Sequence, residues 1–365
     1  MNPNQDDLSG KWVWIWNWRR CDGGDPAKVA ARLRDAGCRG ALVKAHDGPR
    51  WFDQGRPWRE IASALRAEGL AVGGWAYLYG RDAAGEARLV AETVSYGGAD
   101  LFVLDVEAEF EGRPEAADEL CRRVREGVGA EYPLYYSSFA IARYHHSFPF
   151  EVFERYCQGA APQVYWNAFR WPVEQAVNWV YEDYKALGVA PERVFPVAGL
   201  YAGSGVSYPS AADVESFASG AVRRGSPGVS FWSYEHMSEE MWAAVRAAPP
   251  DGGPSGPVDG PEAPAEEVEM SSLEFQQLSG AHAALVERVA HVEAEVETLK
   301  GRVAKTPKRP RPPQRTYTVR AGDTLSAIAA GLGLSDWRPL YEANKKLIGP
   351  DPDLIQPGQV LTIPA

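Results

Sequence analysis

The chain has 365 residues, with 38 basic against 49 acidic side chains and a net charge of −11. That length exceeds one ordinary domain, and the acidic balance excludes a general nucleic-acid binder. Hydrophobic residues make up 45% and charged residues 24%, enough apolar mass for a sizeable core and too much for a disordered chain.

No stretch reaches the ~18 apolar residues that a membrane span needs. The segment Met1 to Asp7 lacks a basic region followed by an apolar one, so no secretory signal is expected. Cys21, Cys38, Cys121 and Cys157 show neither zinc spacing nor disulfide density and read as reduced thiols. His145 and His146 have no further ligands at metal spacing and read as a surface feature. No nucleotide loop is present, and neither a metal nor a cofactor is expected.

Residues 1–248 repeat one unit: a short run of β-branched and aromatic residues, a polar loop, then a helical pattern. Strand candidates begin near Trp12, Gly40, Ala71, Leu101, Tyr132, Pro162, Val194 and Gly228. Eight such units predict an α/β fold, a (β/α)8 barrel of TIM type, for which ~250 residues is typical. Active sites of that fold gather at the C-terminal ends of the strands. Here those ends carry Trp16, Asn17, Trp18, Lys44, Asp47, Tyr77, Tyr136, Tyr165, Trp166, Tyr201, Trp232 and Glu235. Twelve of the 13 tryptophans precede residue 250, and aromatic faces with polar neighbours suit a carbohydrate cleft.

The sharpest signal is Leu101-Phe-Val-Leu-Asp105-Val106-Glu107-Ala-Glu109. Residues two apart share a strand face, so Asp105 and Glu107 are expected to point together at the barrel axis. Repulsion and partial burial should raise one pKa into the range a general acid needs. Glu107, with the longer reach, takes the proton; Asp105 supplies supporting charge. Glu109 is expected in solvent, and Lys44 is the obvious partner if the acids form a salt bridge instead.

Residues 249–272 form a Pro/Gly/acidic linker, and 304–315 a basic proline-rich one. Between them, in 273–303, Leu285, Val289, Val292, Val296, Leu299 and Val303 form a heptad seam. Arg288 with Glu293 and Glu295 with Lys300 make g-to-e′ pairs of a parallel coiled coil, so a homodimer or homotrimer is expected.

The barrel resembles the family 25 glycoside hydrolases, the Chalaropsis-type lysozymes, chiefly over Leu101 to Glu107 and at Trp232 near the last strand. The resemblance implies that Glu107 is the catalytic acid and that Asp105 assists the substrate's own N-acetyl group as internal nucleophile. The family carries an aspartate at the end of its first strand; here Asn17 stands there, able to hydrogen-bond but not to carry charge. Family 18 chitinase barrels are also similar, but their motif has another aspartate where Val103 stands.

Residues 316–365 look like a LysM domain, most like those of phage-tail and related assembly proteins. The resemblance rests on Tyr317, the Gly322-Asp323-Thr324-Leu325 turn, Trp337, Tyr341, Asn344 and the Leu354-Ile355-Gln356-Pro357-Gly358 turn. It implies binding of N-acetylglucosamine-containing chains between those two turns, or of phage-tail-like structural proteins. The two modules together predict a muramidase-like hydrolase of peptidoglycan. The alternative is a non-catalytic carbohydrate-binding barrel of a particle. Either reaches an extracellular target without an encoded secretory signal, virion-associated or cytoplasmic until lysis.

Overall fold

The structure is a computed structural model that describes residues 8–52, 56–203, 205–249 and 315–364. The chain divides into two compact units, the first holding a barrel and the second the C-terminal module. The expected linkers and coiled coil lie outside the described residues, save positions 249 and 315.

The barrel strands are β1 (Gly10–Ile15), β2 (Gly40–Asp47), β4 (Ala71–Leu78), β5 (Leu101–Val106), β6 (Leu134–Phe139), β7 (Gly159–Val164), β8 (Val197–Gly199) and β9 (Gly228–Trp232). All eight pair in parallel, and β1 bonds to both β2 and β9, which closes the sheet. An unexpected short strand, β3 (Arg50–Trp51), folds back antiparallel on the end of β2.

The strand starts predicted at Tyr132 and Val194 move inward to Leu134 and Val197. Pro133 and Pro196 stand just before the observed starts and offer no N–H to a ladder. Val194 keeps a single bridge to Ala160. At the other two shifted ends, the strands begin earlier than predicted, at Gly10 and Gly159.

Alternation sorts the side chains. Val13, Ile15, Phe102, Leu104, Val106, Ala160, Val164, Val229 and Phe231 join the layer between strands and helices. Trp14, Trp75 and Trp232 face the axis, their rings edge to face with centroids 5.4, 5.4 and 5.9 Å apart. These rings fill the barrel's centre, so the cleft can lie only at its rim.

Local signals explain the helices. Asp25 accepts from the backbone N–H of Ala27 and Lys28, Pro26 takes the first position, and α1 (Pro26–Asp35) buries Val29, Ala30 and Leu33. A capping box between Ser210 and Asp213 starts the helix Ala211–Arg223. The last helix, Glu239–Ala247, ends on the buried Lys11, whose Nζ donates to the carbonyls of Val245 at 2.9 Å and Ala248 at 3.1 Å. The four cysteines are free and buried. His145 departs from the surface reading: it is buried, its ring stacked on Phe139 and its Nδ1 2.8 Å from Glu111.

In the C-terminal module, Thr316–Thr318 pairs antiparallel with Val360–Thr362, and the helices Leu325–Gly331 and Arg338–Ile348 lie between them in sequence. Val319, Leu325, Ile328, Leu340 and Leu361 form its core. Asn344 clips helix to strand, donating to the Leu340 and Thr362 carbonyls and accepting from the Thr362 N–H.

Candidate functional site

Asp105 and Glu107 are both buried at the C-terminal end of β5 and share the inward face, as their spacing predicts. One amide joins them: Gln163 Nε2 donates to Glu107 Oε1 at 2.8 Å and to Asp105 Oδ1 at 3.1 Å, with Ser137 Oγ 3.3 Å away. The two acceptor oxygens therefore lie within about 6 Å of each other, closer than the ~6.5–9.5 Å that separates inverting pairs.

Burial pushes the Glu107 carboxyl up to about 7; the Gln163 hydrogen bond opposes this and the Glu109 charge adds to it. The sequence reading named burial, which is the largest cause, alongside repulsion within the pair; the like charge that adds to it is that of Glu109. Glu109 is also not a solvent residue: it is half-buried and accepts from Tyr77 Oη at 2.7 Å.

A second polar chain runs along the rim. Ala45 is the extra residue of a bulge in β2, which resets the alternation and brings Asp47 beside the inward-facing Tyr77. Lys44 Nζ bonds Asp47 Oδ2 at 2.8 Å, and Tyr79 Oη donates to Asp47 Oδ1 at 2.8 Å. Lys44 also lies over the Trp75 and Phe52 rings. Its ion pair is with Asp47, so the alternative in which Lys44 bridges to the acid pair gives way to this one.

At the end of β1, Glu235 accepts from the N–H of Asn17 at 2.7 Å and of Trp16 at 3.5 Å. Burial raises its pKa, against those backbone donors. A carboxylate thus stands beside Asn17, supplied by the loop after β9, with both oxygens engaged by backbone. Trp16 stacks on His236, with centroids 6.5 Å apart. Tyr165 and Tyr201 meet edge to face at 5.9 Å.

The rim therefore gathers Trp16, Lys44, Asp47, Tyr77, Asp105, Glu107, Tyr165, Tyr201 and Trp232. Three predicted sugar contacts fall elsewhere. Tyr136 shares the outward face with Leu134, stacks on Phe153 and donates to Glu154 at 2.7 Å. Trp166 opens a short helix, Trp166–Phe169, and packs on Phe217 in the helix layer. Trp18 lies in a 3-10 turn and joins the core, walling a small recess with Trp16, Lys44, Phe52 and Trp58. Among the described residues there is no cluster of side chains suited to a metal ion, and no helix is long and apolar enough to cross a membrane.

Gln163 and Phe52 were not singled out from the sequence. For Gln163 a signal existed: in Gln163-Val-Tyr165 the apolar Val164 marks the outward face, which leaves Gln163 inward by the alternation that found Glu107.

In the C-terminal module, Asp323 accepts from Tyr317 Oη at 3.0 Å and Arg320 N–H at 2.7 Å, and Thr324 caps the first helix. Gly322 and Gly358 hold φ of +89° and +95°, the left-handed region their turns require. Leu354, Gln356 and Pro357 are exposed and Ile355 half-buried. Leu325, predicted to face glycan, is buried in the core, as the first apolar position of an amphipathic helix must be.

Comparison with known proteins places these features. Residues 317–364 match the LysM domain, so the chain carries a LysM domain at its C-terminus. Over 50 residues it is 48% identical to the potassium binding protein Kbp of Escherichia coli O6:H1; the match spans 13% of this chain and 33% of that protein. Among solved structures, the spore cortex-lytic enzyme SleL of Bacillus cereus superposes with a TM-score of 0.51 at 10% identity, covering 65% of this chain and 73% of that one. The chitinase of Chromobacterium violaceum ATCC 12472 gives 0.51 at 11%, covering 65% and 98%. Chitinase ChiW from Paenibacillus sp. str. FPU-7 gives 0.52 at 14%, covering 65% and 42%. These likenesses establish the barrel fold. They lead to cortex-lytic and chitinase barrels rather than specifically to family 25, which corrects the narrower resemblance.

Proposed function

We propose that the chain is a cell-wall glycan hydrolase whose barrel cleaves peptidoglycan or a related N-acetylglucosamine-containing polymer, with the LysM domain holding it to that polymer. The observation that carries this reading is the buried Asp105–Glu107 pair at the end of β5, where burial pushes the Glu107 carboxyl up to about 7. The fold shared with SleL and the chitinases supports it, as does a LysM domain on the same chain.

In this reading a sugar lies across Trp232 and Trp16, with Tyr165 beside it. Glu107 gives its proton to the glycosidic oxygen as the C–O bond breaks. Asp105, on the same strand face as Glu107, is not placed across the ring as a nucleophile. It orients the substrate's acetamido group, whose carbonyl oxygen attacks C1. The Glu107 carboxylate then takes a proton from the water that opens this intermediate.

The test is release of reducing ends from isolated cell walls and from chitin oligosaccharides by wild type and Glu107→Gln. Expected is a loss of 10²-fold or more in the variant. Equal release by both removes Glu107 from the mechanism. Release by neither, with binding retained, favours the reading in which the barrel recognises glycan without cutting.

A further inference from the structure

The amide of Gln163 does more than fill space between two acids. Its Nε2 meets three oxygens, those of Glu107, Asp105 and Ser137, at 2.8, 3.1 and 3.3 Å. Flipping the amide would set a carbonyl oxygen against two carboxylates, so the donor end is fixed toward them. A carboxylic acid cannot point its own hydrogen at a donor N–H. When Glu107 is protonated, Oε1 is occupied as acceptor and the hydrogen has only Oε2 to sit on.

We propose that Gln163 is the positioning residue that assigns the catalytic proton to Oε2 of Glu107, the oxygen its amide does not bond. This rests on the hydrolase reading above. Without the amide, Oε1 of Glu107 and Oδ1 of Asp105, about 6 Å apart or less, are free to approach and share the proton between them. The proton would then be held where the glycosidic oxygen cannot take it. Binding should change less than turnover, because the stacking rings Trp16 and Trp232 lie at the ends of other strands.

Gln163→Met keeps the length of the side chain and removes the donor. On a soluble chitin oligosaccharide, kcat should fall about tenfold or more while KM changes less than about threefold. The high-pH limb of the rate profile should move up by about one unit, since the lost hydrogen bond favoured the ionised form. Gln163→Glu, nearly isosteric, should move that limb further, because a third carboxylate opposes ionisation. A readout independent of turnover is the Glu107 carboxyl 13C resonance, found by difference from Glu107→Gln; its titration should shift up in Gln163→Met.

A kcat within twofold of wild type with the carboxyl titration unmoved would overturn the proposal. So would a fall in kcat with no movement of the pH limb in either variant, which is the mark of a merely structural residue. If wild type releases nothing from any glycan, the hydrolase reading falls by itself, and an unshifted carboxyl titration would show separately that Gln163 does not govern the Glu107 proton.

Discussion

At the residue scale, the burial that prepares Glu107 as an acid also costs stability. Burial lifts its pKa from the ordinary 4.5 to about 7, so between those values the folded chain binds more protons than the unfolded one. Stability therefore falls as pH rises through this window, and the cost is complete above about pH 7. Glu107→Gln should stabilise the barrel by on the order of 1–3 kcal/mol at pH 8 and leave it unchanged at pH 4, read from urea unfolding. A variant less stable than wild type at pH 8 would contradict the burial of an ionised Glu107. For cleavage the same group acts as acid in its protonated form, so kcat/KM on a soluble oligosaccharide should decline as pH rises through about 7. The Asp-x-Glu pair was legible because two acids end an otherwise apolar strand. For Gln163 alternation could give the inward face but not the role, because a lone amide carries no charge pattern and its meaning comes from two acids on another strand.

At the scale of elements, period-two alternation told which strands exist but not always which face a rim residue takes. Tyr136 was assigned to the cleft for its aromatic ring, yet the outward parity of Leu134 already places it with the helices. Trp166 was misplaced because the strand ends at Val164 and the chain then turns into a short helix, where alternation stops applying. Asp47 reached the rim through a bulge that no composition signal announces. Lys11 shows how elements distant in sequence hold the barrel shut: from β1 it ends the last helix, giving its ammonium to carbonyls that lack intrahelical partners. Lys11→Met should lower unfolding stability by about 1–3 kcal/mol, with cleavage per folded molecule unchanged. A change in KM with no loss of stability would place Lys11 in the site instead.

At the scale of the molecule, two compact units on one chain pose a question of effective concentration rather than of contact. The 65 residues from 250 to 314 begin acidic and end basic, both rich in proline, with the heptad series between. From that series residues 265–310 are expected to associate as two or three chains, measurable by light scattering; a monomer removes the stalk. If LysM and barrel engage the same polymer, the first contact raises the local concentration of the second site, by 10²-fold or more in favourable geometry. The gain exists only where the target is long or insoluble. On a short soluble oligosaccharide, occupied by one site at a time, tethering adds nothing. Removing residues 316–365 should therefore slow cleavage of isolated walls about tenfold or more at low enzyme concentration, while kcat/KM on soluble oligosaccharide stays the same. Excess enzyme should erase the difference, since saturation makes tethering redundant. Equal loss on both substrates would mean that the C-terminal module acts on the barrel itself. Equal rates on walls would mean that it binds something other than the glycan the barrel cuts.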